Sequence, residues 1–538
     1  MNECAFEKFG VMLDCSRNAV MTTNTFKKLV DILSVLGYNT IRLYTEDTYE
    51  VDGEPYFGYL RGRYTQEELK EMDGYAKSKG IELIPCIQTL AHLERIFTYE
   101  DYKPINDIEN ILFVGEERTY TLIENMFKTI SECFSTKNVH IGMDEARRLG
   151  RGKYLDKNGP SDHAEIMKKH LDRVLEIAEK YGFQCEIWGD MYMQAAYGGR
   201  HVCTKDESAR VKTFVPQNLT LCYWDYAHSE ITHYENSIDR HRKLTDNVSM
   251  ASGIWTWKGF CPDVSYSLTV GEPAIKACVN KGVKEFYFTM WGNNGGECSP
   301  FAALPAIVAG AEFAKGNFDM PSIKALFKQI IGIEFDLFSA LEKPDYVYAD
   351  DTAPLAPVRT SRAMFFCDPL CGVFDGNVKE GVAPAYYQNL SALLKTEEDN
   401  EDWGYLFKSI RAFSDVLAIK FDLGVKTRRA YKQDDKQKLE QIAKQDYPAL
   451  LDALERFYDA FEKAWATERK PFGFEVQDIR IGGLIQRVKH CKSVLEKYLN
   501  DDLEKIEELE QEILPPFGST HGKINGYRYV TLVTTSIL

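Results

Sequence analysis

The 538-residue chain lacks a G-x-G-x-x-G turn after its first apolar run, so the phosphate-binding start of a dinucleotide domain is missing. It also lacks an H-x-H there, and its ten histidines are dispersed, which argues against a metal-dependent barrel hydrolase. No CxxC pair occurs among the thirteen cysteines. The close pair Cys367 and Cys371, in CDPLC, has no second pair or nearby histidine, so reduced thiols and no bound metal are expected. The longest weakly polar stretch, Ala302 to Ala314, is too short to span a bilayer, and MNECAFEKFG lacks the basic and apolar regions of a signal peptide. There is no internal repeat and no low-complexity tract.

What is present is ordinary for a folded protein: 44% hydrophobic and 27% charged residues. Lys and Arg total 65 against 81 Asp and Glu, a net charge of −16 that repels phosphate backbones and anionic lipids. A soluble cytoplasmic protein is expected, with no nucleic-acid or membrane partner and with a homodimer left open.

From Phe9 to about Gly316, short β-branched or aromatic runs alternate with segments of helical period, the pattern of βα units around a parallel sheet. Eight runs read as strands: 10–14, 40–44, 82–87, 139–143, 185–189, 219–224, 253–257 and 285–291. Gly37, Gly80, Gly182 and Gly282 end helical segments and lead straight into strands. Thr65 and Glu68 have capping-box spacing. The fold class is α/β, a (β/α)₈ barrel over residues 1–318, with an open doubly wound sheet as the alternative. A mainly α-helical domain over 319–538 follows, with helices at 384–398, 403–424, 436–468 and 476–512 and an irregular stretch around 343–383. The acidic run DDLEKIEELEQEI reads as the solvated face of a helix.

Active sites of such barrels lie at the C-terminal ends of the strands. The residues there are Asp14 and Arg17, Glu46 and Asp47, His92, Asp144 with Glu145, Trp188 with Asp190, Asp225 with Tyr226, Trp257, and Trp291 with Asn293, Asn294 and Glu297. Acids for proton transfer, a guanidinium fork for vicinal hydroxyls and aromatic faces for a sugar ring make a coherent glycan site. The sharpest element is HIGMDEA (140–146), where adjacent carboxylates end the fourth strand. One can donate a proton while the other orients a substrate group.

HIGMDEA resembles the H-x-G-[small]-D-E signature of family 20 of the glycoside hydrolases, the β-N-acetylhexosaminidases. LDCSR is similar to that family's L-D-x-x-R after the first strand, and IWGDM to its Trp-containing fifth strand. The resemblance covers about residues 1–316. It implies Glu145 as general acid/base and Asp144 as the group that holds the substrate's 2-acetamido arm, whose carbonyl oxygen attacks the anomeric carbon to form an oxazolinium ion. Configuration is then retained and no cofactor is needed.

The resemblance further implies Arg17 as ligand for O3 and O4, and His92 with Asp14 as a relay supporting protonation of Glu145, although Leu-Ala-His stands here for the family's Pro-Gly-His. It implies Trp188, Trp257 and Trp291 as pocket walls, and Tyr226, preferred over Tyr223, at the acetamide carbonyl. Asp225 and Glu297 are expected near O4 and O6, and Asn293 is expected to bind substrate after the eighth strand, with WGNNGGE in place of the family's Trp-Ser-Glu. The expected activity is exo-acting removal of terminal β-linked GlcNAc or GalNAc from oligosaccharides. The alternatives are a catalytically silent sugar-binding barrel and release of a disaccharide.

Overall fold

The computed structural model describes residues 3–199, 203–348, 360–516, 524 and 528–536. Residues 349–359 of the irregular stretch anticipated around 343–383 lie outside the described residues. Eight parallel strands close a barrel in chain order: β1 Lys8–Asp14, β2 Thr40–Tyr44, β3 Glu82–Cys86, β4 Asn138–His140, β5 Gln184–Trp188, β6 Thr220–Trp224, β7 Val248–Gly253 and β8 Glu285–Met290. Closure comes from β1 pairing with both β2 and β8, with Gly10 opposite Thr40 and Lys8 opposite Glu285.

Local chemistry sets the helices between them. Thr65 accepts from the Glu68 amide and the Glu68 carboxylate accepts from the Thr65 amide, the capping box expected for helix Gln66–Ser78. Gly37 ends helix Thr23–Leu36 at φ 89°, a left-handed conformation that a side chain would strain.

Two strand expectations need correction. β7 is VSMASG, and GIWTW (253–257) begins where that strand ends. Small residues suffice where the strand is buried along its whole length, so the aromatic signal pointed five residues too far along the chain. β4 stops at His140, because Gly142, Met143 and Glu145 all take positive φ and cannot continue a strand.

Inside the barrel, alternate residues face the axis. Arg42 is 1% exposed; its Nε donates to Glu186 Oε2 at 2.9 Å and its Nη2 to Glu285 Oε2 at 3.2 Å, and its guanidinium lies 3.8 Å from the Tyr287 ring centre. Two residues further along the same faces stand Tyr44 and Trp188, so this buried charge layer floors the aromatic layer beneath the C-terminal mouth. A cavity of about 450 Å³, bordered by Lys8, Asn138, Gln184 and Thr220, lies at the strand starts, the opposite end of the barrel from Asp14, His92, Asp144 and Glu145.

The chain divides into two compact units that alternate along the sequence: Met1–Ile254, Ser267–Trp291 and Ile307–Ile323 form one, and Trp255–Tyr266, Gly292–Ala306 and Lys324–Leu538 the other. The second is helical, with Val382–Leu394, Gly404–Lys420, Leu423–Lys432, Tyr447–Glu468 and Glu475–Leu499 as its longer helices. Its core is a phenylalanine cluster in which Phe260 meets Phe413 at 4.9 Å and Phe365 meets Phe457 at 5.2 Å. Each such buried ring contributes roughly 1.5–3 kcal/mol. The helix expected to run to 512 stops at Leu499, with Asp501 at φ 61°. Beyond it the acidic run buries Ile506 and Leu509, and four of its residues, Glu507–Glu510, are helical. All thirteen cysteines are free thiols.

Candidate active site

The site is built by the chain leaving β4. Gly142 (φ 72°), Met143 (φ 69°) and Glu145 (φ 53°) turn it sharply, so that consecutive carboxylates enter different surroundings. Such backbone is costly and is kept where surrounding contacts over-determine it. Here Gln88, just after β3, accepts from the Met143 amide at 3.2 Å and donates to Asp144 Oδ1 at 2.8 Å, and Asp190 Oδ2 accepts from the Glu145 amide at 3.0 Å. A Cβ on Gly142 would stand 2.1 Å from Gln88 Oε1, so only glycine lets this strut approach.

Asp144 is 7% exposed and Glu145 has a side chain 39% exposed. His92, itself at φ 58°, holds its Nε2 3.2 Å from Asp144 Oδ2 and 3.9 Å from Glu145 Oε2. Burial opposes charge on the imidazole, yet Asp144 and then Glu46 outweigh it and raise the His92 pKa to about 9. Burial likewise opposes charge on Asp144, and His92 and the Gln88 hydrogen bond outweigh it, holding its carboxyl below the usual range. At neutral pH the pair is therefore an imidazolium facing a carboxylate. Arg147 Nη2 lies 3.1 Å from Glu145 Oε1.

Arg17, at the end of β1, lies 3.1 Å from Glu46 Oε1 and 3.9 Å from Asp14 Oδ2. Asp14 Oδ1 accepts from the Ser16 amide and hydroxyl, and Tyr44 donates to Glu46 at 3.0 Å. Burial, offset in part by Arg17 and His92, raises the Glu46 pKa to about 7. His92, expected with Asp14 in a relay to Glu145, stands with its Nε2 against Asp144 and Glu145.

Trp188 is 1% exposed against His140 at 4.3 Å, and Trp291 meets the Tyr44 edge at 4.8 Å and Trp188 at 6.1 Å, so these two form one aromatic floor. Asp225 is wholly buried: Tyr223 donates to it at 2.8 Å and the Ala227 amide at 3.1 Å, while His228 and His233 stand against its oxygens. Tyr226 is half-buried beside Trp224.

Trp257, Asn293 and Glu297 belong to the second unit. There Trp257 stacks on Trp255 at 4.2 Å. Glu297 is 4% exposed; Arg362 Nη2 donates to Oε1 at 2.9 Å and Nε to Oε2 at 2.5 Å, and Arg480 adds a bond to Oε1 at 3.0 Å. An acceptor expected at a sugar hydroxyl is in this structure filled by guanidinium groups.

Sequence reasoning missed Gln88 and Tyr44 and left Glu46 and Asp190 outside the assigned site. Gln88 and Tyr44 sit at strand ends, but neither is charged, and a search for acids and bases passes over them.

Residues 6–238 match the family profile described as glycosyl hydrolase family 20, catalytic domain, and residues 336–526 match glycoside hydrolase 20C C-terminal domain. Hexosaminidase D of Bos taurus is 24% identical over 247 residues, covering 43% of this chain and 64% of that protein. A probable beta-hexosaminidase of Arthroderma benhamiae is 22% identical over 330 residues, covering 54% and 49%. The chain thus spans about half to two thirds of these relatives' length. A beta-N-acetylhexosaminidase structure from Bacteroides fragilis aligns with 62% of this chain and 71% of its own, at 21% identity and TM-score 0.46. With the closed barrel, the buried Asp144 beside Glu145 and both family profiles in agreement along the chain, the protein belongs to family 20 of the glycoside hydrolases.

Proposed function

We propose that the protein is an exo-acting, retaining β-N-acetylhexosaminidase that removes terminal β-linked GlcNAc or GalNAc by substrate-assisted catalysis. The observation that carries this reading is the unequal setting of the two adjacent carboxylates. Asp144, buried and kept ionised between His92 and Gln88, suits a group that orients the acetamide N–H and stabilises the oxazolinium charge. Glu145, open to solvent next to it, suits the acid that protonates the leaving oxygen and then deprotonates water. A well-oriented intramolecular acetamide has an effective molarity on the order of 10⁵ M or more, so positioning supplies much of the acceleration. Arg17 is the ligand for O3 and O4, Trp188 and Trp291 underlie the sugar, and Tyr226, with its hydroxyl less enclosed than that of Tyr223, meets the acetamide oxygen. Thirteen free thiols suit a reducing compartment such as the cytoplasm.

The test is hydrolysis of aryl β-glycosides of GlcNAc, GalNAc and glucose side by side, with a thiazoline mimic of the oxazolinium ion as inhibitor. The expected result is turnover of one or both acetamido sugars, none of glucose, and inhibition by the thiazoline. Turnover of glucose at a comparable rate, or failure of the thiazoline to bind, rejects substrate assistance.

A further inference from the structure

The loop that follows β6 brings together three side chains that the proposed chemistry leaves unused as a group. Asp225, His228 and His233 lie in the spacing D-x₂-H-x₄-H, and their donor atoms all fall within 4.8 Å of one another. His228 Nδ1 stands 2.9 Å from both oxygens of Asp225, and His233 Nε2 stands 3.1 Å from Oδ2. Ligands about 2.1 Å from a common zinc ion stand about 3.0–3.4 Å apart for angles between 90° and the tetrahedral value. The observed separations already approach that range.

The surroundings have the anatomy of a metal site. Asp225 is oriented from behind by the Tyr223 hydroxyl and the Ala227 amide, the kind of outer support that ligating carboxylates carry. The histidines are partly open, with side chains 35% and 21% exposed against 0% for the aspartate, which leaves an entry path and room for water to complete the coordination. Two imidazoles and one carboxylate make a borderline donor set that suits zinc. The sequence reading expected no metal because it sought H-x-H, whereas this spacing joins a strand-end aspartate to a loop and a first helical turn.

We propose that Asp225, His228 and His233 bind one divalent transition-metal ion of the zinc class, which clamps the loop after β6. The two rings stack at 3.6 Å and within 10° of parallel, so their lone pairs point side by side. Uptake therefore tilts the imidazoles apart, and His228, the more exposed, is the one that turns. Nδ1 of His228 and Nε2 of His233, the ring nitrogens that now face Asp225, are the atoms that would ligate the ion. Tyr226 lies within the clamped loop, so the ion would also steady the tyrosine assigned above to the acetamide. That consequence rests on the proposed function; metal binding does not.

The experiment uses the full chain, stripped with a chelator and titrated with Zn²⁺ against a chromophoric competitor, then with Co²⁺ by absorption spectroscopy. The expected result is one equivalent bound, Co²⁺ bands in the visible without a thiolate charge-transfer band, and affinity at least 10²-fold weaker in both His228→Ala and His233→Ala. Both variants change partly exposed side chains, and an unchanged Tm in chelator verifies that they fold. No tight equivalent in the wild type, undiminished affinity in the variants, or a thiolate band that places the ion on cysteine overturns the site. Because the readout is stoichiometry and spectrum, it stands or falls apart from the glycosidase assays.

Discussion

At the scale of single residues, the site turns on two neighbours with different solvent exposure. Glu145→Gln is expected to lower turnover by about 10²-fold or more for substrates with poor leaving groups, and less for activated aryl glycosides at the first step, because only a basic leaving oxygen needs the proton. Rates measured across leaving groups of graded pKa check this, and a uniform loss removes Glu145 from the acid role. His92 supplies a pH signature. Its folded pKa of about 9 exceeds the ordinary value of 6.5, so its stabilising pairing with Asp144 is fully present below about pH 6.5 and is lost as pH rises through 9. A rise of that size corresponds to roughly 3 kcal/mol at most. Denaturant unfolding between pH 6 and 10 is expected to show the decline in the wild type and a flatter profile in His92→Gln.

At the scale of elements, the turn after β4 and the segment after β8 carry opposite kinds of constraint. Gly142→Ala forces a methyl onto Gln88 and adds roughly 1–2 kcal/mol of left-handed strain. Because Gln88 holds Asp144, kcat/KM is expected to fall much more than Tm, and a variant that loses Tm alone contradicts the strut role. Glu297 is the reverse case. Its carboxylate neutralises Arg362, which is 1% exposed, so Glu297→Gln is expected to destabilise by about 3–5 kcal/mol through a buried uncompensated cation. Urea unfolding checks the stability, and aryl glycosides of GlcNAc and GalNAc check the sugar-reading role the sequence suggested. Intact stability with a changed GlcNAc to GalNAc ratio would support that role instead.

At the scale of the whole molecule, the net charge of −16 gives an acidic surface, and among the described residues no helix is long and apolar enough to cross a membrane. Such a surface repels anionic substrates over about one Debye length, near 10 Å at 0.1 M salt. The kcat/KM for a 6-sulfated GlcNAc aryl glycoside is therefore expected to rise with ionic strength between 20 and 200 mM, roughly severalfold, while that of the neutral sugar stays level. Equal salt dependence for both removes long-range repulsion as the cause.

The eight-strand barrel was legible in the sequence because its strands are short apolar runs with turn signals at their ends, and six of them lie within two residues of the expected limits. So was the placement of the adjacent carboxylates Asp144 and Glu145 just past the end of the fourth strand. β7 was misplaced because VSMASG lies buried along its length and, after Val248, shows no aromatic or β-branched signal, while the tryptophans beyond it give an aromatic one. Local pattern thus determined element type, order and the chemistry at the strand ends. Tertiary structure decided which of those groups meet: Gln88 against Asp144, His92 against Asp144 and Glu145, two histidines on Asp225, and Arg362 on Glu297. Burial and partner charge depend on residues far apart in the chain, and they alone set which carboxylate stays ionised, which stands open to solvent and which is consumed in holding the fold.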